Sequence, residues 1–194
     1  MATIKIDKEI LSDLENYKEF LTGRKTVSSP ILVNDLKNNH PSSLFSEVQL
    51  ISSIPYGNTS LSIEIRDIEN YRNFSLSILS DKFPRKKCLF RYDVGNGTHR
   101  NNCSDIPLKE QQVPTPHFHR FDEKGRFLAY QTAALKDTAQ VPYLEDIEFG
   151  TDYFSQESNI TDRRGDLPRI EIGRNLQIPF PHEDFDPNNG IKFK

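Results

Sequence analysis

Four runs in which apolar and polar residues alternate occupy the middle of the chain, and this pattern constrains the fold more than any other feature. They read EVQLISSI, SLSIEIRDI, NFSLSILS and CLFRYDVG, and they follow one another with short connections between residues 47 and 95. Successive residues of a β-strand point to opposite faces, so each run places one face on a core and the other in water. The pattern predicts consecutive antiparallel strands.

Two further runs extend this sheet after a long polar loop. HFHRF and RFLAYQ flank a four-residue turn, Asp122 to Gly125, and are typical of a β-hairpin. We expect Phe121 to pair with Arg126 across the turn, and Tyr130 then lies opposite His117. A slip of this register by one residue would move the histidines to the buried face.

Helical patterns frame the strands. Residues 7–22 predict one amphipathic helix with Asp7 as N-cap and Gly23 as its end, and its apolar face carries Ile10, Leu14, Tyr17 and Leu21. A second helix is predicted to start at Pro142, with Gly150 interrupting it and with contacts from Leu144, Ile147, Tyr153 and Phe154.

The fold class that follows is α+β, with the N-terminal helix packed on an antiparallel meander of five or six strands. A chain of 194 residues is long enough for one well-buried core. We therefore expect a single domain at residues 1–160. Four prolines punctuate the polar remainder, which predicts an extended, proline-rich tail at residues 161–194 that is available to a protein partner.

Charge and composition exclude several classes of protein. The formal net charge is only −3, so no global field draws the chain to nucleic acid. The window 82–126 nevertheless carries ten basic and five acidic residues, including the run FPRKKCLFR, which suits either phosphate contacts or a protected edge strand. No apolar run approaches the roughly 20 residues of a membrane span, and no secretion signal is present, so we expect a cytoplasmic protein without a membrane partner. Two cysteines without a CxxC spacing argue against a disulfide scaffold.

His117 and His119 form the most specific candidate site. Residues i and i+2 of a strand share a face, so the two imidazoles should project together, with backbones about 7 Å apart. Metal-independent RNA cleavage needs such a pair, since one imidazole takes the 2′-hydroxyl proton and the other protonates the leaving oxygen. The predicted catalytic residues are His117, His119, Asp93 and Tyr130. The predicted substrate-binding residues are Arg91, His99, Arg100 and Arg120.

Two other interpretations of the histidine pair stay open. Both side chains are equally compatible with an ordinary polar face exposed to water. A zinc ion could also be shared by His117 and His119, with Asp93 or His99 as third ligand. Arg91 and Arg120 argue against the zinc site, because cations beside a divalent ion are unfavourable. We therefore predict no metal and no other cofactor.

The order RYD, a histidine-bearing loop and PHxH resembles a pattern in uncharacterised bacterial and prophage domains. It is also similar to the TumE-type toxins of toxin–antitoxin systems, in which an RYD run precedes a histidine-rich run. The matching residues are Arg91, Tyr92, Asp93, His99, Pro116, His117 and His119. This resemblance implies a mobile-element protein acting on RNA or on cellular machinery. The chain departs from the toxin pattern in its long loop before His117 and its long C-terminal extension.

Two functions follow as predictions. The first is a metal-independent endoribonuclease-like protein of a toxin or mobile-element system, with RNA as its partner. The second is a non-enzymatic phage or mobile-element protein that inhibits a host defence system through its sheet face or its tail.

Overall fold

The computed structural model describes residues 5–37, 40–95 and 97–173, and for residues 37 and 40–42 the backbone alone. Its helices are α1 Lys8–Ser12, α2 Leu14–Thr22, α3 Leu108–Gln111, α4 Ala133–Lys136, α5 Val141–Leu144 and α6 Ile147–Glu157. Its strands are β1 Lys25–Thr26, β2 Ile31–Val33, β3 Asp35–Lys37, β4 His40–Ser52, β5 Thr59–Ile65, β6 Phe74–Ser80, β7 Lys87–Val94, β8 His99–Arg100, β9 Gln112–Val113, β10 His117–Phe121, β11 Phe127–Tyr130, β12 Ile160–Thr161 and β13 Ile170–Ile172.

The predicted α+β class is confirmed, but the sheet is larger than a simple meander. In the described part of the chain the main sheet has nine strands, with β3 paired to β4 outside the order β11-β10-β7-β6-β5-β4-β1-β12. The sheet is mixed, because β1 and β12 run parallel whereas the others pair antiparallel. The prediction of five or six strands missed β1, β3 and β12, since strands of two or three residues are too short to show alternation.

The alternating runs bury the residues that their pattern indicates. The inward side chains of β5 and β6 are all fully buried, namely Leu61, Ile63, Ile65, Phe74, Leu76 and Ile78. Helix α6 packs on the same face, where Phe154 stacks on Phe90 of β7. Gly150 lies within α6 and does not interrupt it; a Cβ there would lie 2.8 Å from the Phe74 ring. This close approach explains a glycine that the sequence had suggested as a break.

The N-terminal helix is two helices and not one. Asp13 leaves the helical region (φ −126°, ψ 25°), and its carboxylate pairs with Lys82 and accepts from the Asn16 amide. The predicted Asp7 cap is present, since its carboxylate accepts from the backbone amides of Glu9 and Ile10. In α2, the Tyr17 hydroxyl donates to Leu89 O and accepts from Phe121 N, both at 2.9 Å. Helix α2 is therefore anchored on β7 and β10.

A buried lysine joins the ends of two helices. The Lys25 ammonium, on a fully buried side chain, donates to the carbonyls of Leu21 and Gly23 at the end of α2 and of Ser158 at the end of α6. Those carbonyls carry the negative ends of the helix dipoles and attract the ammonium, which partly offsets the cost of burying it.

The predicted boundary at residue 160 falls inside β12. Residues 161–173 are not an extended tail, because β12 pairs with β1 and β13 pairs in parallel with β2. The remainder of the predicted tail, residues 174–194, lies outside the described residues. Within residues 5–37, 40–95 and 97–173, no helix has the length and apolar character that crossing a lipid bilayer requires.

Candidate metal centre

The register between β7 and β10 places His117, His119, Arg91 and Asp93 on one face of the sheet. His117 pairs with Asp93, and His119 pairs with Arg91. Residues opposite each other on adjacent strands point to the same side, so all four side chains project together. The imidazole centroids of His117 and His119 lie 4.8 Å apart. The prediction that these two rings share a face is confirmed.

His99 completes a cluster of three imidazoles. It lies in the segment between β7 and β10, of which residues 97–116 are here named the cover segment. Its ring centroid is 4.7 Å from that of His119 and 5.8 Å from that of His117. One possible ligand nitrogen of each ring lies within 4.8 Å of the other two. His99, His117 and His119 are named the histidine cluster below.

His117 and His119 are buried, which corrects the expectation of a water-exposed pair. His117 is 3% exposed, and His119 and Asp93 are each 6% exposed. The cover segment brings His99 against both rings, and the Phe127 ring stacks on His119 with centroids 5.4 Å apart. Alternation in β10 indicates which side chains share a face, but it does not reveal that a distant segment covers that face.

Asp93 forms a hydrogen-bonded ion pair with Arg91 and also contacts His119. Its Oδ1 accepts from Arg91 Nε at 2.8 Å and Nη2 at 2.7 Å, and its Oδ2 lies 3.2 Å from His119 Nε2. Burial alone would raise the pKa of this carboxyl, but His119 and Arg91 together hold it below its ordinary value. Asp93 is therefore ionised at neutral pH and orients the His119 ring.

The ring of His117 has an assignable tautomer. Its Nδ1 lies 3.2 Å from the carbonyl oxygen of Pro114, which can only accept, so Nδ1 carries the proton. Burial, together with the neighbouring His119, lowers the pKa of His117 to about 4. Burial also lowers the pKa of His99. In the neutral ring of His117, Nε2 keeps its lone pair and lies 3.9 Å from Asp93 Oδ2.

Tyr130 and Arg120 lie on the opposite face of the sheet. The predicted hairpin register is wrong by one residue, since Phe121 pairs with Phe127 and Tyr130 pairs with Phe118. The Asp122 carboxylate accepts from the Arg126 amide at 2.8 Å, which makes Arg126 part of the turn. The Arg120 guanidinium covers the Tyr130 ring at 4.6 Å. Neither side chain reaches the histidine cluster.

The remaining predicted residues are Arg91, His99 and Arg100, and only the first two lie at the cluster. Arg91 and His99 join the cluster, although Arg91 is bound to Asp93 through two nitrogens. Arg100 follows His99 on β8 and is exposed. The structure thus brings together His99, His117, His119, Asp93 and Arg91, and it separates Tyr130, Arg120 and Arg100 from them.

Asn101 was not predicted, yet it fixes the cover segment. Its side-chain amide donates to Ala129 O at 2.7 Å and accepts from Ala129 N at 3.0 Å, so it pairs with β11 as a neighbouring strand would. It is 3% exposed. Gln131 adds hydrogen bonds to the carbonyls of Pro114 and Pro116. A lone asparagine in a polar loop carries no sequence signal for such a role.

Replacing Asn101 with alanine should loosen the cover segment over the histidine cluster. The variant removes both hydrogen bonds and leaves the buried Ala129 amide without a partner, which costs about 1–3 kcal/mol locally. We expect faster hydrogen exchange at the Ala129 amide and across residues 97–116, measured by mass spectrometry. The matched control is Asn102→Ala, whose side chain makes no hydrogen bond in the described structure. Equal exchange in the two variants would contradict this role for Asn101.

Three converging imidazoles are a set of metal ligands. In a tetrahedral zinc site with Zn–N bonds of about 2.0–2.1 Å, the nitrogens lie about 3.4 Å apart. The ligand nitrogens of the cluster, which lie within 4.8 Å of one another, therefore have to approach by up to about 1.4 Å. The two arginines that argued against a metal do not oppose it here. Arg91 is neutralised by Asp93, and Arg120 lies behind the sheet.

The chain was compared with protein-family models, with curated proteins and with solved structures, and no match was found in any of the three.

Proposed function

We propose that this protein is a metal-dependent hydrolase whose histidine cluster holds one divalent transition-metal ion, with zinc as the first candidate. The observation that carries the proposal is the arrival of His99, from the cover segment, beside His117 and His119 on β10. Three histidine ligands with the fourth position left to water are typical of catalytic zinc, whereas structural zinc sites are usually closed by cysteines.

The groups around the cluster suit this role. Metal-bound histidines commonly donate their second ring nitrogen to a carboxylate or a backbone carbonyl. The Pro114 carbonyl is such an acceptor for His117 Nδ1, and the Asp93 carboxylate is one for His119. In this arrangement the ligand atoms are His117 Nε2 and His119 Nδ1.

The chemistry proposed is the hydrolysis of a polar bond. A bound zinc ion supplies a water molecule whose pKa is lowered to about 7 and a Lewis acid for the attacked group. His99, His117 and His119 fix the position of that water. Asp93 keeps the His119 ring oriented, and Arg91 holds Asp93 ionised.

RNA is the first substrate class to assay, because the basic window 82–126 contains the cluster. The metal-independent cleavage predicted from the sequence remains the alternative mechanism for the same substrate. The two differ in their response to a chelator, since a metal-independent nuclease keeps its activity in EDTA. A function in partner binding through the tail rests on residues 174–194, outside the described structure.

Metal binding is tested first on purified, chelator-treated protein. We expect one zinc ion per chain by calorimetry. Cobalt(II) should give the intense visible absorption of a tetrahedral centre. His99→Ala removes a ligand from a half-exposed position and should weaken binding at least about 100-fold, while Asp93→Asn should weaken it about 10–100-fold. The control is Glu123→Gln, an exposed carboxylate remote from the cluster.

Thermal unfolding of every variant separates loss of a ligand from loss of the fold. The proposal fails if neither zinc nor cobalt binds in a 1:1 ratio, or if His99→Ala binds as tightly as the wild type.

A further inference from the structure

A cavity unrelated to the histidine cluster lies between two pairs of parallel strands. Strands β1 and β12 run parallel, and the chain leaves both of them toward a second parallel pair, β2 and β13. The two connections, residues 27–30 and 162–169, line a cavity of about 530 Å³. Ligands commonly bind beyond the carboxyl ends of parallel strands, where connecting loops diverge. The volume lies within the range of small-molecule sites.

The lining presents hydrogen-bond donors that have no partner among the described residues. Arg163, Arg164 and Arg169 contribute three guanidinium groups, and within residues 5–37, 40–95 and 97–173 none of them is in an ion pair or hydrogen bond. Ser28 and Ser29 of the other connection also line the cavity, and their hydroxyls are likewise unbonded in the described structure. Guanidinium and hydroxyl donors are the groups that recognise phosphate oxygens.

The two acidic residues of the lining cancel only part of this positive charge. Asp162 accepts hydrogen bonds from the backbone amides of Arg164, Gly165 and Asp166 at 2.7, 2.9 and 3.0 Å, so its carboxylate is used to hold the turn. The Asp166 carboxylate also lines the cavity, and its negative charge repels a bound anion. Arg24 lies beside the same turn, where its Nη2 would be 3.7 Å from a Cβ at Gly165 and its Nε donates to Thr161 Oγ1 at 3.1 Å.

We propose that this cavity binds a small phosphorylated molecule through Arg163, Arg164 and Arg169. The described lining contains no aromatic side chain on which a nucleobase could stack. The phosphate groups, and not a base, are therefore the recognised part of the ligand. The site is separate from the histidine cluster and does not depend on the proposed hydrolase function.

The probe is inorganic pyrophosphate, titrated into the full-length protein at low ionic strength in excess EDTA, so that no metal at the histidine cluster can bind it. We expect saturable binding by calorimetry. Arg163→Gln/Arg169→Gln should weaken it at least about tenfold, since hydrogen bonds between charged groups contribute about 1.5–3 kcal/mol each. Arg72→Gln/Arg85→Gln removes the same charge from exposed positions away from the cavity and should leave the affinity unchanged.

Asp166→Asn gives a test with the opposite sign. Removal of the opposing carboxylate should tighten pyrophosphate binding several-fold. The proposal is overturned if pyrophosphate does not bind, or if the two double variants weaken binding equally. It is also overturned if a single-stranded RNA oligonucleotide binds this surface and pyrophosphate does not displace it. Equal circular dichroism and melting temperatures of the variants establish that each is folded.

Discussion

Replacement of Phe118 by alanine should lower the free energy of unfolding by about 3–5 kcal/mol, the usual cost of removing a large buried aromatic side chain. Phe118 is fully buried at the centre of β10. Its ring packs on five others, with centroid distances of 4.6–6.4 Å, contributed by Phe90, Tyr92, Tyr130, Tyr153 and Phe154. No neighbouring side chain can fill this space without leaving its own contacts.

The same residue couples the core to the histidine cluster. Phe118 lies between His117 and His119 in the chain and points to the opposite face, so its packing holds the strand that carries both imidazoles. Urea denaturation monitored by circular dichroism measures the effect, and Phe118→Leu should lose less because it keeps part of the volume. Phe149→Ala is the control, since Phe149 is 55% exposed and should change stability by about 0.5 kcal/mol or less. A loss below 1 kcal/mol in Phe118→Ala would show that β10 repacks freely.

Replacement of Lys25 by methionine should lower the free energy of unfolding by about 3 kcal/mol. The change keeps the apolar stem but removes the group that binds the carbonyls of Leu21, Gly23 and Ser158. Three carbonyls at helix ends are then left with fewer donors, and each buried unsatisfied group costs about 1–3 kcal/mol. Some of this cost is recovered where water enters. Lys8→Met, at an exposed position of α1, is the matched control and should have little effect.

The pH dependence of this difference shows whether the buried Lys25 amine contributes to it. Burial lowers the pKa of Lys25 from 10.5 to about 8, so the group is charged at neutral pH. Between pH 8 and 10.5 the unfolded chain binds more protons than the folded one, and folded wild-type protein gains stability as pH rises. The methionine variant lacks this titration. The difference between the two proteins should therefore widen from pH 8 to pH 10, and a constant difference would assign the loss to packing alone.

The long elements of this fold could be predicted from the sequence. The inward sets Leu61, Ile63 and Ile65 on β5 and Phe74, Leu76 and Ile78 on β6 follow directly from alternation, because each run has enough residues to display its period. Strands of two residues, such as β1 and β12, show no period and are defined only by their partners. Asp13 likewise breaks the predicted N-terminal helix through contacts with Asn16 and with the distant Lys82.

Only the part of the candidate site that lies on β10 could be predicted from the sequence. The spacing of His117 and His119 indicates a shared face whatever lies around them. The register that places Tyr130 on the face away from the histidine cluster depends on a turn closed by Asp122 and Arg126. A difference of one residue in this turn moves every side chain of β11 to the other face of the sheet. The third imidazole arrives from a polar loop whose path is set by Asn101. The position of His99 depends on contacts between residues far apart in the chain, so no local sequence pattern indicates it.

Pairing of the Asn101 amide with Ala129 has a consequence for how these molecules behave in a crowded solution. Strand β11 ends the sheet, and an uncovered terminal strand offers its amides and carbonyls to any other chain. Asn101 occupies both backbone groups of the residue at the middle of that border. A fibril or a swapped dimer that grows by strand addition at this border must first displace a buried side chain. The asparagine that fixes the cover segment therefore also discourages self-association.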